Sequence, residues 1–265
     1  MIKYVAMLVI VIGGIGFVLV QTSSQPQQEA VGKNVDLMDD RAGLAILSDD
    51  VEYLPGVIGR YARPQQEGEY PGVVMIHENR GLRPEIKDAA DALAKEGYRV
   101  LAVNLLGGTA EDQDGARALT AQFDQARGVE NMRAAAAFLR QEGSQKLASL
   151  GWCFGGRQSV ELAISGEPLD ATVVYYGGGM ATSTERLKPI TWPVLGIFGD
   201  QDRVIPLEMV DAFRSSLETL GVTNEIYVYP GVGHAFANPS GANYAPTETA
   251  DAWEKTLGFL EAHLR

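Results

Sequence analysis

One cysteine in 265 residues excludes an intramolecular disulfide, and the three histidines beside it show no recognisable zinc-ligand spacing. Positive charge is also scarce: 22 Lys and Arg against 34 Asp and Glu leave a formal net charge of −12. No basic cluster interleaves with aromatics, so nucleic acid is excluded as a partner. There is no internal repeat. Asp112-Gln113-Asp114-Gly115 lacks the third acid and the later bidentate Glu of a calcium loop. Gly177-Gly178-Gly179 lacks the spacing and the ribose-binding acid of a dinucleotide fingerprint. Neither a metal nor an organic cofactor is expected.

Apolar residue is plentiful. At 46% hydrophobic, the chain has enough to build one large core, with an N-terminal appendage. Residues 4–20 carry no charge, follow Lys3 and precede a polar stretch at 21–28. This run reads as an uncleaved membrane anchor or a cleaved signal peptide over residues 1–22. Either outcome puts the rest outside the cytoplasmic membrane and confines membrane contact to this segment. No cysteine follows it, which excludes a lipoprotein anchor. Residues 23–50 read as a polar linker and arm, with Asp39-Asp40 and Asp49-Asp50 as a solvated acidic face. Residues 51–265 form the domain. Its oligomeric state is open, and a monomer suffices.

Within that domain strands alternate with helices. Residues 51–62 make an opening hairpin around Pro55-Gly56, because proline fixes φ at the first turn position and glycine accepts a positive φ at the second. Residues 73–76 are a continuous apolar run, the pattern of a strand buried on both faces. Pro84 opens a helix that Gly97 closes. Further strands are expected at 99–103, 147–150, 171–176, 194–198 and 225–229. A helix carries Val129, Met132, Ala136 and Leu139 on one face, another opens at Pro206, and the last has Trp253, Leu257, Leu260 and Leu264 on one stripe. The fold class is α/β, with a mainly parallel sheet covered on both faces.

The lone cysteine sits in Gly151-Trp152-Cys153-Phe154-Gly155-Gly156, between a strand-like run and a helix-like run. A strand feeding a helix through G-x-C-x-G turns sharply, and glycines at 151 and 155 let the two elements approach. Cys153 then lies at a helix N-terminus, where free N–H groups favour negative charge. Two later loops complete a constellation: Gly199-Asp200-Gln201-Asp202 and Gly231-Val232-Gly233-His234. A cysteine, an aspartate and a histidine at one sheet edge supply a nucleophile, a base and a group that orients the base. The chain order of nucleophile, acid and histidine is that of α/β-hydrolases.

Those motifs, with His77-Glu78-Asn79-Arg80-Gly81, Tyr175-Tyr176-Gly177, Pro206 and Gly233-His234-Ala235-Phe236, resemble the dienelactone hydrolase family of α/β-hydrolases over residues 51–265. The resemblance implies an α/β-hydrolase fold and a hydrolase of small esters or lactones working through a thioester. It implies Cys153 as nucleophile, His234 as base and Asp202, in preference to Asp200, as the base's partner. The backbone N–H groups of Phe154 and Asn79 would form the oxyanion hole. Glu78 matches the family's acidic neighbour of the nucleophile and is expected to modulate the thiol, unless it merely pairs with Arg80. Arg80, Tyr176 and Trp152 are candidate substrate contacts, and Arg83 a second source of positive charge. His77 is expected to pack or hydrogen-bond locally at its strand end. Family members acting on dienelactone hold its carboxylate with two arginines. Here the matching stretches read Asn104-Leu105-Leu106-Gly107-Gly108 and His234-Ala235-Phe236-Ala237-Asn238, without either arginine. The chemistry is therefore expected to carry over better than the substrate. A non-catalytic scaffold binding a ligand or partner at the cell envelope is the alternative.

Overall fold

The computed structural model describes residues 43–265, so the anchor or signal segment and most of the polar arm lie outside the described residues. No helix among the described residues is long and apolar enough to cross a membrane. An antiparallel hairpin of β1 (Ile46–Leu54) and β2 (Val57–Pro64) opens the domain, with Gly56 at φ 76° in its turn. Strands and helices then alternate: β3 (Gly72–Ile76), α1 (Pro84–Lys95), β4 (Arg99–Val103), α2 (Gln113–Ala121), α3 (Gln125–Gln141), β5 (Leu147–Trp152) and α4 (Phe154–Ile164). They continue through β6 (Ala171–Tyr175), α5 (Thr184–Leu187), β7 (Val194–Gly199), α6 (Leu207–Thr219), β8 (Asn224–Tyr229) and α7 (Pro246–Leu264).

All eight strands join one sheet in the order β1-β2-β4-β3-β5-β6-β7-β8. β2 runs antiparallel to both its neighbours, and every pairing from β4 to β8 is parallel. Successive side chains of β3, β5, β6 and β7 point to opposite faces, yet all are buried. Both faces of the central sheet are therefore covered, and the core sits on these strands. Parallel register also puts the carboxyl ends of β3 to β8, and the loops that follow them, at the same edge.

The structure differs from the sequence reading at two places. β1 begins at Ile46, so residues 46–50 are strand and not linker. Asp49 and Asp50 are ion-paired there and form no free acidic face: Asp50 reaches Lys87 at 2.9 Å and Arg60 at 3.7 Å, and Asp49 reaches Arg63 at 3.5 Å. The second difference is α2, which starts where Asp112 was set aside as a poor calcium ligand. Its carboxylate instead caps the helix, accepting the Gly115 N–H at 2.8 Å.

Candidate active site

β5 ends in the tight turn expected of it. Cys153 has φ 53° and ψ −114°, a strained conformation for a residue with a side chain. Close backbone approach explains the flanking glycines. A Cβ on Gly151 would lie 2.2 Å from the Gly155 carbonyl oxygen, and one on Gly155 would lie 2.2 Å from the Ile76 carbonyl oxygen. α4 can therefore press its first turn against β3 and β5 only because both side chains are absent. Cys153 is anchored by its own N–H, which donates to the Tyr175 carbonyl at 3.0 Å.

Three loops at the carboxyl edge converge on its sulfur. His234, after β8, places Nε2 3.1 Å from Cys153 Sγ and Nδ1 2.8 Å from Asp202 Oδ2. Asp202, after β7, is buried, and its Oδ1 accepts the N–H groups of Val204 at 2.8 Å and Ile205 at 3.0 Å. Asp200 lies elsewhere. It accepts Gly231 N–H at 2.7 Å and the Gln201 amide at 3.1 Å, tying the two loops together. Burial alone would lower the pKa of His234, but the hydrogen bonds and negative charge of Asp202 and Cys153 outweigh it and raise the imidazole to about 10. The ring is thus favoured as an imidazolium while the sulfur carries its negative charge.

Glu78 follows β3 and makes no ion pair with Arg80. Its carboxylate takes the Asn238 amide and, at 3.5 Å, the Tyr176 hydroxyl. Glu78 keeps some exposed surface, yet desolvation of its carboxylate prevails over the pull of Asn238, His234 and Tyr176 and raises it to about 7. Tyr176 is fully buried with φ 36°, and its ring lies 5.4 Å from that of His234. Burial first, then the charge of Glu78 and Cys153, keeps its phenol protonated. A cleft of about 60 Å³ beside these groups is lined by Glu78, Ile86, Trp152, Tyr176 and Asn238. A far larger open cleft, about 850 Å³, lies at the opposite edge among Pro71, Gly97, Lys146 and Arg265, away from Cys153, Asp202 and His234.

Phe154 is the first residue of α4, where N–H groups have no intrahelical partner. Asn79 lies in the turn after β3, closed by Gly81 N–H donating to the Glu78 carbonyl at 3.2 Å. Arg83 is engaged with Glu85 at 3.3 Å, Glu111 at 3.0 Å and the Ala110 carbonyl, so it is not free for a ligand. Arg80 makes no side-chain hydrogen bond or ion pair among the described residues, and its carbonyl accepts Ala110 N–H at 3.0 Å. His77 is fully buried, bonded to the Glu78 carbonyl and the Leu105 backbone nitrogen and stacked beside Phe154. Sequence reasoning missed two supports. Asn238 holds Glu78, and Asn243 donates to the His234 carbonyl at 2.9 Å. The first was signalled only as a missing arginine.

Comparison with known proteins agrees in extent with this domain. The dienelactone hydrolase family matches residues 57–264. A provisionally named carboxymethylenebutenolidase of Yersinia pestis is 31% identical over 76% of this chain and 82% of its own length. One of Escherichia coli strain K12 is 29% identical over 77% and 81%. Among solved structures, a provisionally named dienelactone hydrolase from Klebsiella pneumoniae superposes with a TM-score of 0.75 at 26% identity, covering 82% of this chain and 99% of that one. A dienelactone hydrolase-like promiscuous phosphotriesterase from metagenomic libraries gives 0.73 at 25%, covering 83% and 100%.

Proposed function

This chain belongs to the dienelactone hydrolase family and is a hydrolase of esters or lactones, and from that premise we propose that it cleaves small neutral substrates through a Cys153-His234-Asp202 triad. The observation that carries the reading is the unbroken line Sγ–Nε2–Nδ1–Oδ2, at 3.1 Å and 2.8 Å, built from three separate loops. Cys153 as thiolate attacks the carbonyl carbon, and the carbonyl π electrons move to oxygen. That oxyanion is held by the N–H groups of Phe154 and Asn79. Collapse re-forms the carbonyl and expels the alkoxide, which takes the proton of the His234 imidazolium and leaves as alcohol, or stays tethered if the substrate is a lactone. Neutral His234 then takes a proton from water as it attacks the thioester. Carboxylic acid departs, and the thiolate-imidazolium pair returns. Asp202 fixes the imidazole tautomer and faces its positive charge throughout.

Substrate charge follows from what stands near the sulfur. Where family members acting on dienelactone place arginines, this chain has Leu105 and Leu106 on one side and Asn238 on the other. Asn238 spends its amide on Glu78, and Arg83 is already paired. Without a guanidinium fork a carboxylate-bearing substrate gains little, while Glu78 repels it. The small cleft between Trp152 and Tyr176 suits a short acyl or alcohol group. Glu78 acts on the nucleophile through the field it adds at His234, not by contact with sulfur. The uncharged run at residues 4–20 supports anchoring or export, with the enzyme working outside the cytoplasmic membrane.

A panel of short-chain chromogenic esters, simple lactones and dienelactone, assayed with wild type and Cys153→Ala, tests the reading. Hydrolysis of neutral esters lost in the variant is expected. Equal hydrolysis by both proteins, or a preference for dienelactone, overturns the nucleophile or the substrate assignment respectively.

A further inference from the structure

His77 is the one buried imidazole that the proposed chemistry leaves unused. It follows the last residue of β3 and has no exposed surface. Its Nε2 lies 3.1 Å from the backbone nitrogen of Leu105, which can only donate, so Nε2 carries the lone pair. The ring proton is therefore on Nδ1, which donates to the Glu78 carbonyl at 2.6 Å. Burial outweighs the pull of the Glu78 and His77 backbone and lowers the ring to about 4, so it stays neutral and does not exchange protons under ordinary conditions.

The acceptor matters more than the donor. The Glu78 carbonyl belongs to the same peptide unit as the Asn79 N–H, and a trans peptide is planar with C=O and N–H pointing opposite ways. Whatever fixes that carbonyl fixes the direction of that N–H. A hydrogen bond received at the carbonyl also polarises the unit and strengthens its N–H as a donor. On its other side the imidazole lies nearly parallel to the Phe154 ring, with centroids 6.0 Å apart and an interplanar angle of 13°. One side chain thus meets the peptide unit that carries the Asn79 N–H and the ring of Phe154.

We infer that His77 is a positioning residue of the oxyanion hole: it orients and polarises the Glu78-Asn79 peptide while bracing Phe154. The inference rests on the oxyanion assignment made above. The Gly81 N–H also reaches this Glu78 carbonyl, at 3.2 Å, and the Arg80 carbonyl is held by Ala110, so the loop persists without the imidazole, while the shorter bond that sharpens its aim and polarises the peptide is lost. Because the oxyanion exists only after attack, misaiming lowers kcat and leaves substrate binding alone.

His77→Phe keeps a ring against Phe154 and removes both hydrogen bonds. In full-length protein, the expected result is a fall in kcat of about 10- to 100-fold on a neutral chromogenic ester with KM nearly unchanged. Alkylation of Cys153 by iodoacetamide is the second readout. That displacement forms no oxyanion, so its rate and pH dependence should match wild type. An unchanged kcat, a raised KM that accounts for the loss, or alkylation slowed in step with hydrolysis overturns the inference. If His77→Phe does not fold, His77→Leu, which also removes both hydrogen bonds, is judged by the same three readouts. Wild-type hydrolysis that survives in Cys153→Ala identifies failure of the parent reading instead, and takes this inference with it.

Discussion

Replacing Asp202 by asparagine changes one atom and should disable the base. The side chain is nearly enclosed, at 1% exposure, and its Oδ1 accepts two backbone N–H groups. Those donors force the amide of the variant to keep its oxygen toward Val204 and Ile205. Its NH₂ must then face His234 Nδ1. Nδ1 becomes an acceptor, so the neutral ring carries its one proton on Nε2 and has no lone pair there to form the ion pair with sulfur or to take a proton from the attacking water. The carboxylate also supplies the leading upward pull on an imidazole raised from 6.5 to about 10, so its loss should bring that value down and weaken the preference for the imidazolium. Together these predict a fall in kcat of about 10³- to 10⁴-fold. Steady-state hydrolysis of a chromogenic ester across pH gives the rate, and alkylation of Cys153 across pH shows whether the basic limb moves down. Asp200→Asn is the control, since Asp200 bonds Gly231 and Gln201 and not the histidine; it should cost about 1 kcal/mol of stability and leave kcat within about threefold. A kcat for Asp202→Asn within tenfold of wild type, with an unmoved basic limb, would refute the reasoning.

Further perturbations have definite signs. Gly155→Ala would force a methyl to 2.2 Å from a backbone oxygen, so it should lower unfolding free energy in urea by about 3 kcal/mol or prevent folding; a loss below about 1 kcal/mol contradicts the close approach. Glu78 has a folded pKa raised from 4.5 to about 7, so its contribution is fully present below 4.5 and is lost as pH rises through 7. Glu78→Gln should therefore gain stability relative to wild type across that window, by about 1–3 kcal/mol at its upper end, and a melting-temperature difference independent of pH refutes this. Tyr53 accepts the Asn104 N–H at 3.1 Å and donates to Asn131, so Tyr53→Phe should cost about 1–3 kcal/mol by orphaning buried polar groups; an unchanged urea midpoint contradicts it.

The alternation of strands and helices was readable because the central strands are apolar on both faces and the helices carry one apolar stripe. The elbow was readable because its geometry demands glycine at fixed places. β1 was not: Ser48, Asp49 and Asp50 hide its period of two, and only in the fold do Arg60, Arg63 and Lys87 pair with the two aspartates while Ser48 donates to Asp91. α2 was missed because it buries only Ala116 and leaves almost no stripe, although Asp112 was a visible cap signal. The bonds of His77 were beyond sequence altogether, since both its partners are backbone atoms that any residue would supply.

The order of strands also sets an order of failure. β5, which carries the sulfur, is flanked by strands on both sides and buried throughout, whereas β8, which leads to His234, is the free edge and only half-buried. Edge elements open at lower free energy than central ones. Mild denaturant or heat should therefore release His234 while Cys153 is still held in the folded core. The protein would lose turnover before it lost its secondary structure, and its shelf life would be decided by the hydrogen bonds between β7 and β8, not by the global stability of the core.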